Sequence, residues 1–119
     1  MLGRNFREMI RTLRAHRGVR GGLFVAPDGL VIAADVPGDV PVEALSALAA
    51  TLGRELEVGG ARTVRGRFEV AHFAGAGGGL FLGATPIGFI VLLVGGDGDE
   101  PAIGRALREA VDAVRTAWA

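Results

Sequence analysis

Phe6, Met9, Ile10 and Leu13 recur at the i, i+3, i+4, i+7 spacing of one helical face, which predicts an amphipathic helix over residues 3–17, closed by Gly18. Two apolar runs follow, Gly21 to Ala26 and Leu30 to Asp35, joined by Pro27-Asp28-Gly29. Proline presets φ and glycine accepts the left-handed position, so this is a hairpin signal, and Asp28 reads as a turn residue, not a catalytic acid. Pro37 to Pro41 breaks the pattern. Residues 42–57 then return to helical spacing, with Leu45, Leu48, Ala49, Leu52 and Leu56 on one face.

That second helix is unusual around its circumference. At 100° per residue the flank beside the leucines holds Val42, Ser46 and Gly53, and the far side holds Glu43, Ala47, Ala50 and Arg54. Small residues opposite leucines imply burial on more than one side, which a monomer of this size offers few ways to achieve. The expectation is therefore a dimer in which the leucines bind the helix to its own sheet and the flank of Val42, Ser46, Ala49 and Gly53 meets a twin helix.

Three more strands are predicted. Thr63 to Phe73 places Val64, Phe68 and Val70 on one face and Arg65, Arg67 and Glu69 on the other, the pattern of a half-solvated edge strand. Leu80 to Leu82 reads as a short strand entered from a turn at Gly75 to Gly79. Ile87 to Val94 is almost continuously apolar, as in a central strand covered on both faces. A last helix is expected to begin near Asp99, its N-cap, followed by Glu100 and Pro101, and to bury Ile103, Leu107, Ala110, Val111, Val114 and Trp118. The order is α-β-β-α-β-β-β-α, an α+β class with an antiparallel sheet and helices on both faces, and 119 residues suit one domain spanning 1–119.

Composition removes whole classes of chemistry. The chain has no cysteine, lysine or tyrosine, and Ser46 is its only serine. Disulfides, thiolate nucleophiles, cysteine zinc sites, Schiff-base lysines and phosphate-loop lysines are excluded. Ser46 lacks the G-x-S-x-G turn of hydrolase nucleophiles. His16 and His72 are the only histidines, and neither has a second ligand at i+3 or i+4, so neither a metal site nor any other cofactor is expected. Asp97, Asp99 and Glu100 are explained by the helix start they precede. The glycines from Gly75 to Gly79 fit no G-x-G-x-x-G frame and precede a strand, so they read as a hairpin turn. No catalytic constellation emerges, and an enzyme is not expected.

Charge and targeting point the same way. Thirteen basic residues, all arginine, balance 13 acidic ones, leaving no positive field for nucleic acid. The first 20 residues are an exception, with six arginines against one glutamate for a net +5. Arg4, Arg7, Arg11 and Arg14 lie opposite the apolar face, either as a docking stripe for an acidic partner or phosphates or, more simply, as a solvated helix face. No signal peptide pattern is visible, so a cytoplasmic location is expected. The 27 uncharged positions between Glu69 and Asp97 are long enough for a membrane, but their glycines and Pro86 break any spanning helix, so no membrane association is expected.

The helix order, the hairpin GGLFVAPDGLVIAAD and the small-residue second helix together resemble the roadblock/dynein light chain family, especially its short bacterial members. Pro27-Asp28-Gly29 with Leu30 to Asp35 is similar to that family's D-x-D-G or D-G hairpin, and Ala44 to Leu56 to its central helix. The resemblance implies a five-stranded antiparallel sheet with the second helix on one face and the other two on the opposite face, as in profilin-like folds. It also implies a homodimer in which third strands pair edge to edge, through Arg65, Arg67, Phe68 and Glu69, and second helices lie side by side. Bacterial relatives regulate Ras-like small GTPases, some stimulating GTP hydrolysis without performing chemistry themselves. Glu43, Ala47, Ala50 and Arg54 are the expected GTPase-binding patch. Two other classes compete: a small-ligand sensor of profilin or PAS-like type, which requires an enclosed polar pocket, and a purely structural dimer within a scaffold.

Overall fold

A computed structural model describes residues 2–63 and 65–118, with side chains from residue 5 onward. Arg4 of the basic stripe and Val64 of the expected edge strand lie outside the described side chains. The elements are α1 (Leu2–Arg14), β1 (Val19–Val25), β2 (Val31–Asp35), α2 (Val42–Arg62), β3 (Val70–Gly75), β4 (Gly78–Thr85), β5 (Gly88–Val94) and α3 (Glu100–Ala117). The strands form one antiparallel sheet in the order β2-β1-β5-β4-β3, leaving β2 and β3 as its edges.

Alternation along β5 explains why its sequence reads as uniformly apolar. Ile90, Leu92 and Val94 join a cluster with Phe6, Ile10 and Leu13 of α1 and Ile103, Leu107, Val111 and Val114 of α3. Phe89 and Val91 face the other way and pack with Leu23, Val25, Leu82, Ala84 and the α2 residues Ala49 and Ala50. The sheet is thus a filling between two layers, and its central strand has no solvated side.

Close approach of helices to the sheet is bought with glycine. A β-carbon at Gly22 would stand 2.8 Å from Ile10 Cγ2, and one at Gly83 the same distance from Val111 Cγ2. The turns follow their sequence signals. Gly29 adopts φ +95°, and the Leu30 amide donates to Asp28 Oδ1 at 3.1 Å, which closes the first hairpin. Asp99 caps α3 by accepting from the Ala102 amide at 3.1 Å.

Three expectations are corrected. α2 continues five residues beyond the expected end, to Arg62, through Gly59 and Gly60. A β-carbon at Gly60 would lie 2.7 Å from the Gly66 carbonyl, so the glycine serves the returning chain. Consequently residues 63 and 65–69 belong to a connection, and β3 starts only at Val70. Trp118 is not buried: it forms the C-cap of α3 and is 48% exposed. No helix among the described residues is long and apolar enough to cross a membrane.

Candidate interaction face

The inward face of α2 is the small one. Ser46, Ala49, Ala50 and Gly53 are buried, and Gly53 rests directly on the ring of Phe89, which a β-carbon there would approach to 2.5 Å at Cε1. The leucines sit roughly a third of a turn away. Leu45, Leu52 and Leu56 are half-buried and Leu48 is 51% exposed. This reverses the orientation expected from the leucine spacing. A broad helix lying close across a sheet needs small side chains beneath it, and the larger residues are displaced to its sides.

The expected dimer set is therefore divided. Ser46, Ala49 and Gly53 are spent on the protomer's own sheet, and Val42 is half-buried beside them. Arg65 and Arg67 are exposed in the connection ahead of β3. Phe68 packs inward over Phe89, with ring centroids 6.5 Å apart. Glu69 leans toward α3, where Arg108 donates to it at 2.5 Å and Arg115 stands 3.5 Å away. Its backbone carbonyl accepts from the Ala84 amide at 2.9 Å, extending the β3–β4 ladder by one bond.

The expected GTPase patch is likewise only partly at the surface. Glu43, Ala47 and Arg54 are exposed, whereas Ala50 is 1% exposed beneath the helix. Arg54 donates through Nη1 to the Pro27 carbonyl. That bond ties α2 to the tip of the first hairpin, where Gly29 lies against Ala47 and Ala50. Leu30 projects from the same tip and is 68% exposed.

Sequence reasoning missed the surface beside the leucines. Phe73, Leu80 and Leu93 point to the α2 side of the sheet but lie past the ground that α2 covers; Phe73 is 39% exposed and the other two are half-buried. They floor an open groove of about 550 Å³ walled by the glycines of the β3–β4 turn. The signal was present as Phe73, Leu80 and Leu93 at paired register positions, but only strand order reveals that they adjoin. A smaller pocket between Glu57, Arg67, Phe68, Thr85 and Arg115 holds about 10 Å³, room for a single water.

No family model matches the sequence, and no curated protein matches it in sequence. Solved structures do match in fold. The MglB protein of Myxococcus xanthus superposes with a TM-score of 0.87 at 12% identity, covering 98% of this chain and 89% of that one. A Roadblock/LC7 domain from Streptomyces avermitilis gives 0.81 at 18% identity, over 94% of this chain and 96% of its own. Profilin IB of Acanthamoeba castellanii gives 0.72 at 11% identity, over 95% and 98%.

Proposed function

We propose that this chain, which has the roadblock fold in its helix order and its sheet, works as a non-enzymatic homodimeric module that binds a Ras-like small GTPase in the cytoplasm. The observation that carries the dimer is the coincidence of an unpaired β3 edge with an uncovered apolar surface on the same side of the molecule. A two-fold axis at β3 joins the two sheets through their edge amides and carbonyls. The same axis brings the leucine sides of two α2 helices together over Phe73, Leu80 and Leu93. In this arrangement Leu45, Leu48 and Leu52 replace Ser46, Ala49 and Gly53 as the helix residues that meet the twin. Arg65 and Arg67 flank the joined strands, with Phe68 and Glu69 setting their start.

The GTPase surface in this reading is the other side of α2. Glu43, Ala47 and Arg54 form it together with Leu30 on the hairpin tip, and Ala50 supports it from beneath. Duplication across the axis makes one larger platform from two modest patches. Any effect on GTP hydrolysis is indirect, by ordering the GTPase's own catalytic loops, since this chain brings no lysine, phosphate loop or cysteine to phosphoryl transfer.

Light scattering tests the dimer and titration calorimetry with a Ras-like GTPase of the host tests the partner. A dimer at micromolar concentration and binding in one nucleotide state are expected. A monomer overturns the assembly; a dimer that binds the GTPase in neither state leaves a structural scaffold component.

A further inference from the structure

The second free edge of the sheet, β2, lies under a row of arginines. Phe6 stacks on Phe24 with centroids 3.9 Å apart, and Ile10 Cγ2 lies over Gly22, so α1 runs along the β1–β2 pair rather than across it. Arg7, Arg11 and Arg14 share one side of α1 at i, i+4, i+7. Met9, Thr12 and His16, on the other side, line the groove against α3. Arg14 Nη1 reaches Asp35 Oδ1 of β2 at 2.7 Å, which fixes the arginine side as the one over the open edge. Arg7 and Arg11 are exposed and engage no partner among the described residues.

We propose that this edge captures an extended acidic segment of a partner protein by strand addition, with Arg7 and Arg11 clamping its carboxylates. Register supports that occupant. Four residues of helix advance about 6 Å, and alternate residues of a strand are about 6.7 Å apart. Carboxylates at alternate positions on an added strand therefore fall one beneath each arginine. The outer backbone groups of β2 supply hydrogen bonds, while the arginines supply sign and direction.

The edge is short. Pairing with β1 shifts register between Phe24 and Val25, which leaves Ile32 without a partner and confines the straight part of β2 to Ala33, Ala34 and Asp35. Such a bulge discourages indiscriminate edge pairing, so a segment lacking carboxylates gains little here. Affinity must therefore depend heavily on salt. The proposal is independent of the GTPase reading, and pairing through β3 leaves β2 free in each protomer.

Fluorescence anisotropy with a labelled hexapeptide of alternating valine and glutamate is the direct test, alongside a peptide of the same composition with its glutamates in one block. Expected is preferential binding of the alternating peptide, weakened about ten-fold between about 50 and 300 mM salt and about ten-fold by Arg7→Glu with Arg11→Glu. Amide exchange on Ala33 to Asp35 should slow in the complex. Circular dichroism of the double variant should be unchanged, because both side chains are solvated. Equal binding of the block peptide, undiminished binding by the variant, no slowing at β2, or binding to anionic vesicles but to neither peptide would each overturn the proposal.

Discussion

Gly53 lies against the face of Phe89 so closely that a β-carbon would come within 2.5 Å of Cε1 and 2.7 Å of Cε2. Phe89 is 2% exposed and is held from the other side by the sheet, so the ring has little room to yield. Gly53→Ala should therefore destabilise the fold by about 1–3 kcal/mol even though alanine is the better helix former by about 1 kcal/mol. Urea unfolding of the variant gives the answer. A gain in stability would show that α2 sits higher above the sheet.

Leu48 provides the complementary experiment. It is half-exposed in the protomer, so Leu48→Glu should leave folding stability within about 0.5 kcal/mol while moving the protein from dimer to monomer. Sedimentation velocity distinguishes the two species. An unchanged dimer would place the twin helix elsewhere.

Hydrogen exchange on β3 reads the strand pairing without mutation. Only one side of Val70–Gly75 bonds to β4, so in a monomer the outward amides should exchange rapidly while those directed at β4 are slow. Uniform protection along the strand that fades on dilution is the expected result for the proposed dimer.

Reversing charge at both Glu43 and Arg54 should lower GTPase affinity about ten-fold and leave the dimer intact, as measured by calorimetry and light scattering. Arg54→Ala alone also frees the Pro27 carbonyl, so it should loosen the hairpin tip and raise exchange at the Gly29 and Leu30 amides.

Asp99→Ala removes the acceptor for the Ala102 amide at the start of α3 and should cost about 1 kcal/mol in thermal or chemical unfolding. Asp99→Asn should recover most of it.

Local chemistry was legible in the sequence where a residue acts on its own neighbours. Pro27-Asp28-Gly29 and Asp99 do their work within three or four positions, and both are where their residue types place them. The faces of α1 and α3 were also readable, because their large apolar residues point at the sheet, with the exception of Trp118 at the C-cap of α3. α2 broke that rule. Its leucines outweigh Ser46, Ala49 and Gly53 in any measure of hydrophobicity, yet separation from the sheet, not hydrophobicity, decided which side faces inward. Nothing local to Gly59 and Gly60 announces that a carbonyl from Gly66 will lie against the helix, so its end and the start of β3 were both misplaced. For the same reason the Phe73, Leu80 and Leu93 floor, assembled from three strands, had no linear signature.

The exposed ring at the end of α3 has a spectroscopic consequence. Trp118 is the only tryptophan, and the chain has no tyrosine, so emission excited beyond the phenylalanine absorption band comes from a single chromophore. That indole borders the cleft between α1 and α3 with Asn5, Phe6 and Met9, on the face of the sheet opposite α2. Emission wavelength and quenching therefore report on the surroundings of the α1–α3 end. A tryptophan-free partner that lands on this layer should therefore shift the emission, whereas one that lands on the α2 side should leave it nearly unchanged.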